Sequence, residues 1–188
     1  MPSRPRTKAV AARHRQTAPL TISRPELLVN GSDRRFRRLV DDLFALAVRH
    51  HAVRDAHAAR IGLSGVEYST LIGLRHLEDD GDVGVKQLAD YFHVSGSFIT
   101  TMVGKLIERG LIDKRSDPTD GRRVRLSVTP QGHDLLAELA PTQRQVNDVQ
   151  FGSLSAADFH FLLDVLPRLI ESSERAVALH RYLALERK

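Results

Sequence analysis

The 188-residue chain contains no cysteine, which excludes disulfide frameworks, thiolate nucleophiles, zinc knuckles and thiol redox sensing. No apolar run approaches the ~18 residues that a membrane-spanning helix needs, so a soluble, cytoplasmic protein with no membrane partner is expected. Enzyme signatures are missing as well: there is no G-x-S-x-G, G-x-G-x-x-G, Walker loop or H-E-x-x-H. Ser64, in G-L-S-G-V, lacks the second glycine of a nucleophile elbow and reads as a helix cap. Asp117 and Asp120 stand beside Arg122 and Arg123, a setting for a salt-bridged loop rather than for the dry cleft that raises a carboxyl pKa. His50, His51 and His57 share one expected helix but include no i, i+4 pair, so neither a metal nor another cofactor is expected. Internal repeats and low-complexity tracts are also absent.

Acidic side chains are absent from residues 1–25, which carry Arg4, Arg6, Lys8, Arg13, Arg15 and Arg24 and hence a local charge of +6. The rest of the chain holds 22 basic and 23 acidic residues, so the net charge of +5 belongs mostly to this tail. With Pro2, Pro5, Pro19 and Pro25 and no useful apolar stripe, residues 1–31 are expected to be disordered. The tail reads as solvated, or as an arm that tracks phosphates; its composition is also shared with organelle transit peptides.

From Ser32 or Asp33 a long helix is expected to about Arg60, with Phe36, Leu39, Val40, Leu43, Phe44 and Ala47 as its stripe. A helix of that length has no obvious place inside a small domain and suits a dimer interface. Ser64 and Glu67 form an S-x-x-E capping box for the next helix, whose buried side is read as Val66, Leu71, Leu74 and Leu77. Glu78–Gly84 is an acidic turn. Near the other end, Thr129 with Pro130 starts a helix that Pro141 is expected to kink or break. Ser155 and Asp158 cap a last helix with a wide apolar face, interrupted by Pro167.

Between these lie the residues 85–129, which read as a short helix, a tight turn, a second helix capped by Ser95 and a two-stranded ribbon. In the second helix Ile99, Met102, Val103 and Leu106 recur at helical spacing, while Ser97, Thr100, Thr101, Gly104 and Lys105 fall on the other side. Small hydroxyl side chains on that side suit close approach to phosphates and base edges. Gly110 is expected to end the helix in the left-handed conformation. Leu111, Ile112, Val124, Leu126 and Val128 suit flanking strands, and residues 117–123 form the hairpin loop. Projecting arginines there favour a narrow, electronegative minor groove. Locally the bases Lys86, Lys105, Arg109, Lys114, Arg115, Arg122, Arg123 and Arg125 outnumber the acids, which is a nucleic-acid footprint placed on one motif. A module serving only protein contacts would present an acidic or apolar face, against which Ser97, Thr100 and Lys105 argue.

The run LADYFHVSGSFITTMVGKLIERGLIDKRSDPTDGRRVRLSVTPQG resembles the MarR family of transcriptional regulators. The matching motifs are L-A of the first helix, V-S-x-S-x-I-T-x-x-V, L-x-x-x-G-L-I, D-P-x-D-G-R-R and L-S-V-T-P-Q-G, and the match is close from Leu63 to about Leu139. Phe98 is bulkier than the small residue usual in such proteins, and Gly96 and Thr101 replace longer polar or basic side chains. The resemblance implies a mainly α fold with a small β-hairpin wing: a tail over 1–31, a dimerisation helix over 32–62, a winged helix-turn-helix over 63–129 and C-terminal dimerisation helices over 130–188. It implies a homodimer that binds a pseudo-palindrome of double-stranded DNA, more often as a repressor. The DNA-contacting candidates are Lys86, Gln87, Ser95, Ser97, Thr100, Thr101, Lys105, Asp120, Arg122 and Arg123. Family members often bind aromatic acids or phenols in a crevice between the dimer helices and the winged helix. Arg38, Arg49, His50, Tyr68 and His76, with Phe36 and Phe44, are the candidates to line it here; for the aromatics, core packing is the simpler reading.

Overall fold

Four of the six α-helices begin at a side chain that caps them, and the spacing of these caps sets out the chain. The computed structural model describes residues 19–116 and 124–186. Close contacts divide the chain into a unit ending at Ala52 and a second beginning at Val53. Helix α1 (Arg34–Arg60) runs through the boundary; α2 (Gly65–Glu78), α3 (Val85–Phe92), α4 (Gly96–Glu108), strands β1 (Ile112–Ser116) and β2 (Val124–Val128), α5 (Pro130–Phe151) and α6 (Ala156–Leu185) follow.

In the first unit, the segment expected to be disordered up to Gly31 carries structure from residue 19. A 3₁₀ turn spans Pro25–Leu27, and Val29 and Ser32 exchange backbone hydrogen bonds of 3.0 and 3.1 Å. The reason is Asp33, which is only 1% exposed and accepts hydrogen bonds of 2.7 Å from both the amide and the hydroxyl of Thr21. Arg37 approaches its other oxygen at 3.0 Å. The bonds from Thr21 hold this carboxyl below its ordinary pKa, and Arg37 adds to the effect. A twelve-residue separation between donor and acceptor is not visible to a composition argument.

The second unit holds the core. Ala58, Ile61, Leu63, Tyr68, Leu71, Leu74, Leu88, Ile99, Val103, Leu106, Leu126 and Val128 are among its buried members. Ser64 accepts from the Glu67 amide at 3.3 Å, and Glu67 accepts from the Ser64 amide and hydroxyl at 2.8 and 2.7 Å, which closes the capping box. Val66, read as buried, is exposed at the first turn of α2; Tyr68 and Thr70 are buried instead. Thr129 caps α5 through the Gly132 amide at 3.1 Å, and Ser155 caps α6 through Asp158 at 3.2 Å. Pro141 does not break α5, which continues through it, and α6 likewise continues through Pro167. A proline deletes one ladder bond, and in helices of 22 and 30 residues the flanking turns keep the helix intact.

Strands β1 and β2 pair antiparallel, from Ile112 opposite Val128 to Ser116 opposite Val124. Val83 adds an isolated bridge to Leu126 through a 2.8 Å bond from the Leu126 amide, tying the loop after α2 to the hairpin. Among the described residues no helix is long and apolar enough to cross a membrane.

Candidate DNA-reading face and cavity

Helix α4 is positioned by three buried side chains and two well-formed ends. Ile99, Val103 and Leu106 bury its inner side, burial worth roughly 1.5–3 kcal/mol for each such side chain. At its start Ser95 accepts from the Phe98 amide at 3.3 Å, and Ser95 and Ser97 hydroxyls lie 3.1 Å apart. At its end Gly110 adopts φ +72°, with its amide donating to Ile107 at 2.8 Å and the Leu111 amide to Leu106 at 2.9 Å. These are the two bonds of a Schellman motif. Arg109 locks the helix to the start of α2, donating to the Gly62 carbonyl at 2.8 Å and approaching Glu67 at 3.8 Å.

The outer side of α4 is what this anchoring presents. Ser97, Phe98, Thr100, Thr101 and Lys105 are all exposed. The Thr100 hydroxyl donates to Gly96 at 2.8 Å and that of Thr101 to Ser97 at 3.1 Å; each oxygen retains acceptor capacity. A Cβ built on Gly96 or Gly104 would meet nothing within 4 Å, so neither glycine is required by packing inside this chain.

Helix α3 precedes it. Lys86 pairs with Asp90 at 2.6 Å, and the Gln87 side-chain oxygen accepts from the Gly84 amide at 3.1 Å, so Gln87 is engaged in holding the start of α3. The helix ends at His93, whose φ of +53° is unusual for a residue with a side chain. His93 also contacts Glu174 of α6 through Nδ1. In the hairpin, Arg115 lies opposite Arg125. Like charges so placed repel, and each has an acid beside it: Asp113 at 3.4 Å from Arg115 and Asp82 at 2.7 Å from Arg125. Asp120, Arg122 and Arg123 lie outside the described residues.

A cavity of about 110 Å³ opens between α1, α2, α3 and α5, lined by Arg54, Tyr68, Ile72, His76, Phe92 and Gln143, with Gly73 and Tyr91. Of the sequence candidates, Tyr68 and His76 meet here. Arg38, Arg49 and His50 are not among the lining residues: Arg38 pairs with Asp42 at 2.8 Å, and Arg49 donates to the Ala45 carbonyl at 3.3 Å. The cation in the lining is Arg54, which sequence reasoning missed. Its Nε donates to Ser69 at 3.0 Å and its guanidinium carbon lies 5.3 Å from the centre of the Tyr68 ring. Spacing carried the signal: Arg54 precedes the buried His57, Ala58 and Ile61 by helical steps of three, four and seven. Burial pushes the Tyr68 hydroxyl above its ordinary pKa, against the pull of Arg54, so Tyr68 stays a neutral phenol. Among the described residues no cluster of His, Cys, Asp or Glu could hold a metal.

Known proteins resemble this chain in sequence and in fold. The family model described as MarR family matches residues 61–123. Over 128 residues the chain is 31% identical to the HTH-type transcriptional repressor NicR of Pseudomonas putida, covering 68% of this chain and 79% of that protein. Two solved structures share the fold. One is of Bordetella bronchiseptica BpsR, described as showing how 6-hydroxynicotinic acid regulates its DNA binding, at TM-score 0.56, 24% identity, 68% of this chain and 89% of that one. The other is a mutant MarR from E. coli complexed with operator DNA, at TM-score 0.59, 14% identity, 70% of this chain and 93% of that one. With its helix-turn-helix and the first strand of its hairpin inside the matched region and a repressor matched well beyond it, the chain belongs to the MarR family, whose members are transcriptional regulators rather than enzymes.

Proposed function

We infer that the protein is a homodimeric, sequence-specific DNA-binding repressor that a small aromatic acid releases from its operator. The observation that carries this reading is the outer side of α4, where hydroxyls and Lys105 are exposed on a helix whose inner side is fixed in the core. Ser95, Ser97, Thr100, Thr101 and Lys105 enter a major groove, Lys86 positions phosphates, and the hairpin, with Arg122 and Arg123, reaches the neighbouring minor groove. Arg115 and Arg125 add cations to its stem. Gln87 supports this surface by holding the start of α3.

Pairing of two chains follows from what one chain leaves uncovered. Leu39, Val40, Leu43 and Phe44 of α1 are exposed, Phe44 by 71%, and no residue of α6 is buried although Phe159, Phe161, Leu163, Leu166, Leu169 and Ile170 lie along it. Apolar stripes of this extent mark an association surface. A two-fold pair then reads half-sites about one helical turn, ~10 base pairs, apart.

The effector is assigned to the cavity between α1, α2, α3 and α5. At about 110 Å³ the cavity is smaller than the ~150 Å³ apolar cavity that takes benzene, so a ligand of one six-membered ring widens it on binding. Arg54 meets its carboxylate, with His76 and Gln143 available to ring substituents. BpsR, named with 6-hydroxynicotinic acid, supports that ligand class. The test is a mobility-shift titration on the protein's own upstream region with and without 6-hydroxynicotinic acid and benzoic acid. Specific binding that a ligand relieves, and that Arg54→Leu makes unresponsive, is expected. Absence of specific binding removes the repressor reading, and binding that no aromatic acid alters removes the effector assignment alone.

A further inference from the structure

We propose that Phe98 reads the 5-methyl group of thymine in the major groove and thereby sets part of the base preference of this protein; the proposal rests on the DNA-reading role of α4. Phe98 is the third residue of the helix, its amide is tied to Ser95, and its ring remains 41% exposed. The packing of α4 comes from Ile99, Val103 and Leu106. Steps of three and seven residues place Phe98 on one strip with Thr101 and Lys105, at the end of the helix where recognition helices contact base edges.

A phenyl ring neither donates nor accepts a hydrogen bond of the kind that phosphates and base edges offer. In the major groove the apolar group within reach of such a ring is the C5-methyl of thymine; every other edge presents nitrogen, oxygen or an amino group. The polar contacts fall to Ser97, Thr101 and Lys105, which surround it on the exposed side. Gly96 and Gly104 leave open space on the same helix, so the backbone can seat closely enough for a ring in the first turn to meet a methyl group.

The experiment uses the full chain and a duplex selected by it from a random library, made once with thymine and once with deoxyuridine at every thymine position. This exchange removes only the methyl groups and keeps each hydrogen-bonding edge. Fluorescence anisotropy should show the thymine duplex bound about fourfold tighter for one methyl contact, and roughly fifteenfold for one in each half-site, from the burial of a methyl-sized group. Phe98→Ala should bind both duplexes alike, and Phe98→Leu should keep part of the difference. Circular dichroism checks the fold, and Phe98→Gln provides a second, longer replacement in case the alanine variant does not fold. Equal binding of the two duplexes by the wild type, or an undiminished preference in Phe98→Ala or Phe98→Gln, overturns the assignment. If selection returns no preferred duplex, the failure lies in the DNA-reading role itself.

Discussion

Gly104 lies within α4 and Gly110 just past its end, and they answer to different demands. At φ +72° Gly110 holds a conformation that costs an L-residue roughly 1–2 kcal/mol, so Gly110→Ala should lower stability by about that much in urea unfolding. Gly104 is helical and a Cβ there meets nothing. Gly104→Ala should therefore raise stability by ~0.5–1 kcal/mol, yet weaken operator binding, because the added methyl stands on the side offered to DNA. A stabilised variant with unchanged affinity would mean that this part of α4 stays clear of the duplex. Gly110 was legible from its place after a periodic apolar stretch. Arg54 is in phase with His57, Ala58 and Ile61, but its partners in the cavity lining, Tyr68, His76 and Gln143, come from other helices and are brought beside it only by the fold.

At the level of elements, the caps explain why the helices begin where they do, and they make stability depend on pH. The Ser64 hydroxyl, then its amide, and more weakly Arg109 and Lys105, hold the Glu67 carboxyl below its ordinary value of 4.5. A carboxyl whose pKa falls on folding contributes stability above its unfolded value and loses it as pH drops through the folded one. Ser64→Ala should thus cost about 1 kcal/mol at neutral pH, with the penalty shrinking below about pH 4.5 as Glu67 is protonated. Urea titrations of both proteins from pH 7 to pH 3 would check this, and a penalty independent of pH would contradict it. Asp33 obeys the same sign through Thr21. Such local caps could be read from short stretches of sequence: Ser64 and Ser155 from the acid three residues on, Thr129 from the adjoining Pro130, and Ser95 from its place before the helical stripe. The Thr21 to Asp33 tie and the Val83 bridge to Leu126 could not, because they join residues that only the folded chain brings together. Nor could spacing tell that α5 and α6 would absorb their prolines.

For the whole molecule, the exposed stripes of α1 and α6 make pairing and DNA recognition one problem. Sedimentation equilibrium should return twice the chain mass of 21.0 kDa, and Phe44→Asp combined with Leu163→Asp should return single chains with much weaker operator binding. A repressor released by ligand must also be stabilised by it: an aromatic acid at 100 times its Kd should add ~2.7 kcal/mol to stability, a gain that Arg54→Leu should largely remove in a thermal-shift series. Operator affinity should fall steeply with salt as phosphate counterions are released.

The most direct test places a negative charge on the outer side of α4. In an anisotropy titration against the selected duplex, Thr101→Asp should abolish specific binding while circular dichroism and the paired mass stay unchanged, since Thr101 is exposed and its helix is held by Ile99, Val103 and Leu106. Undiminished specific binding by Thr101→Asp would show that another surface reads the DNA.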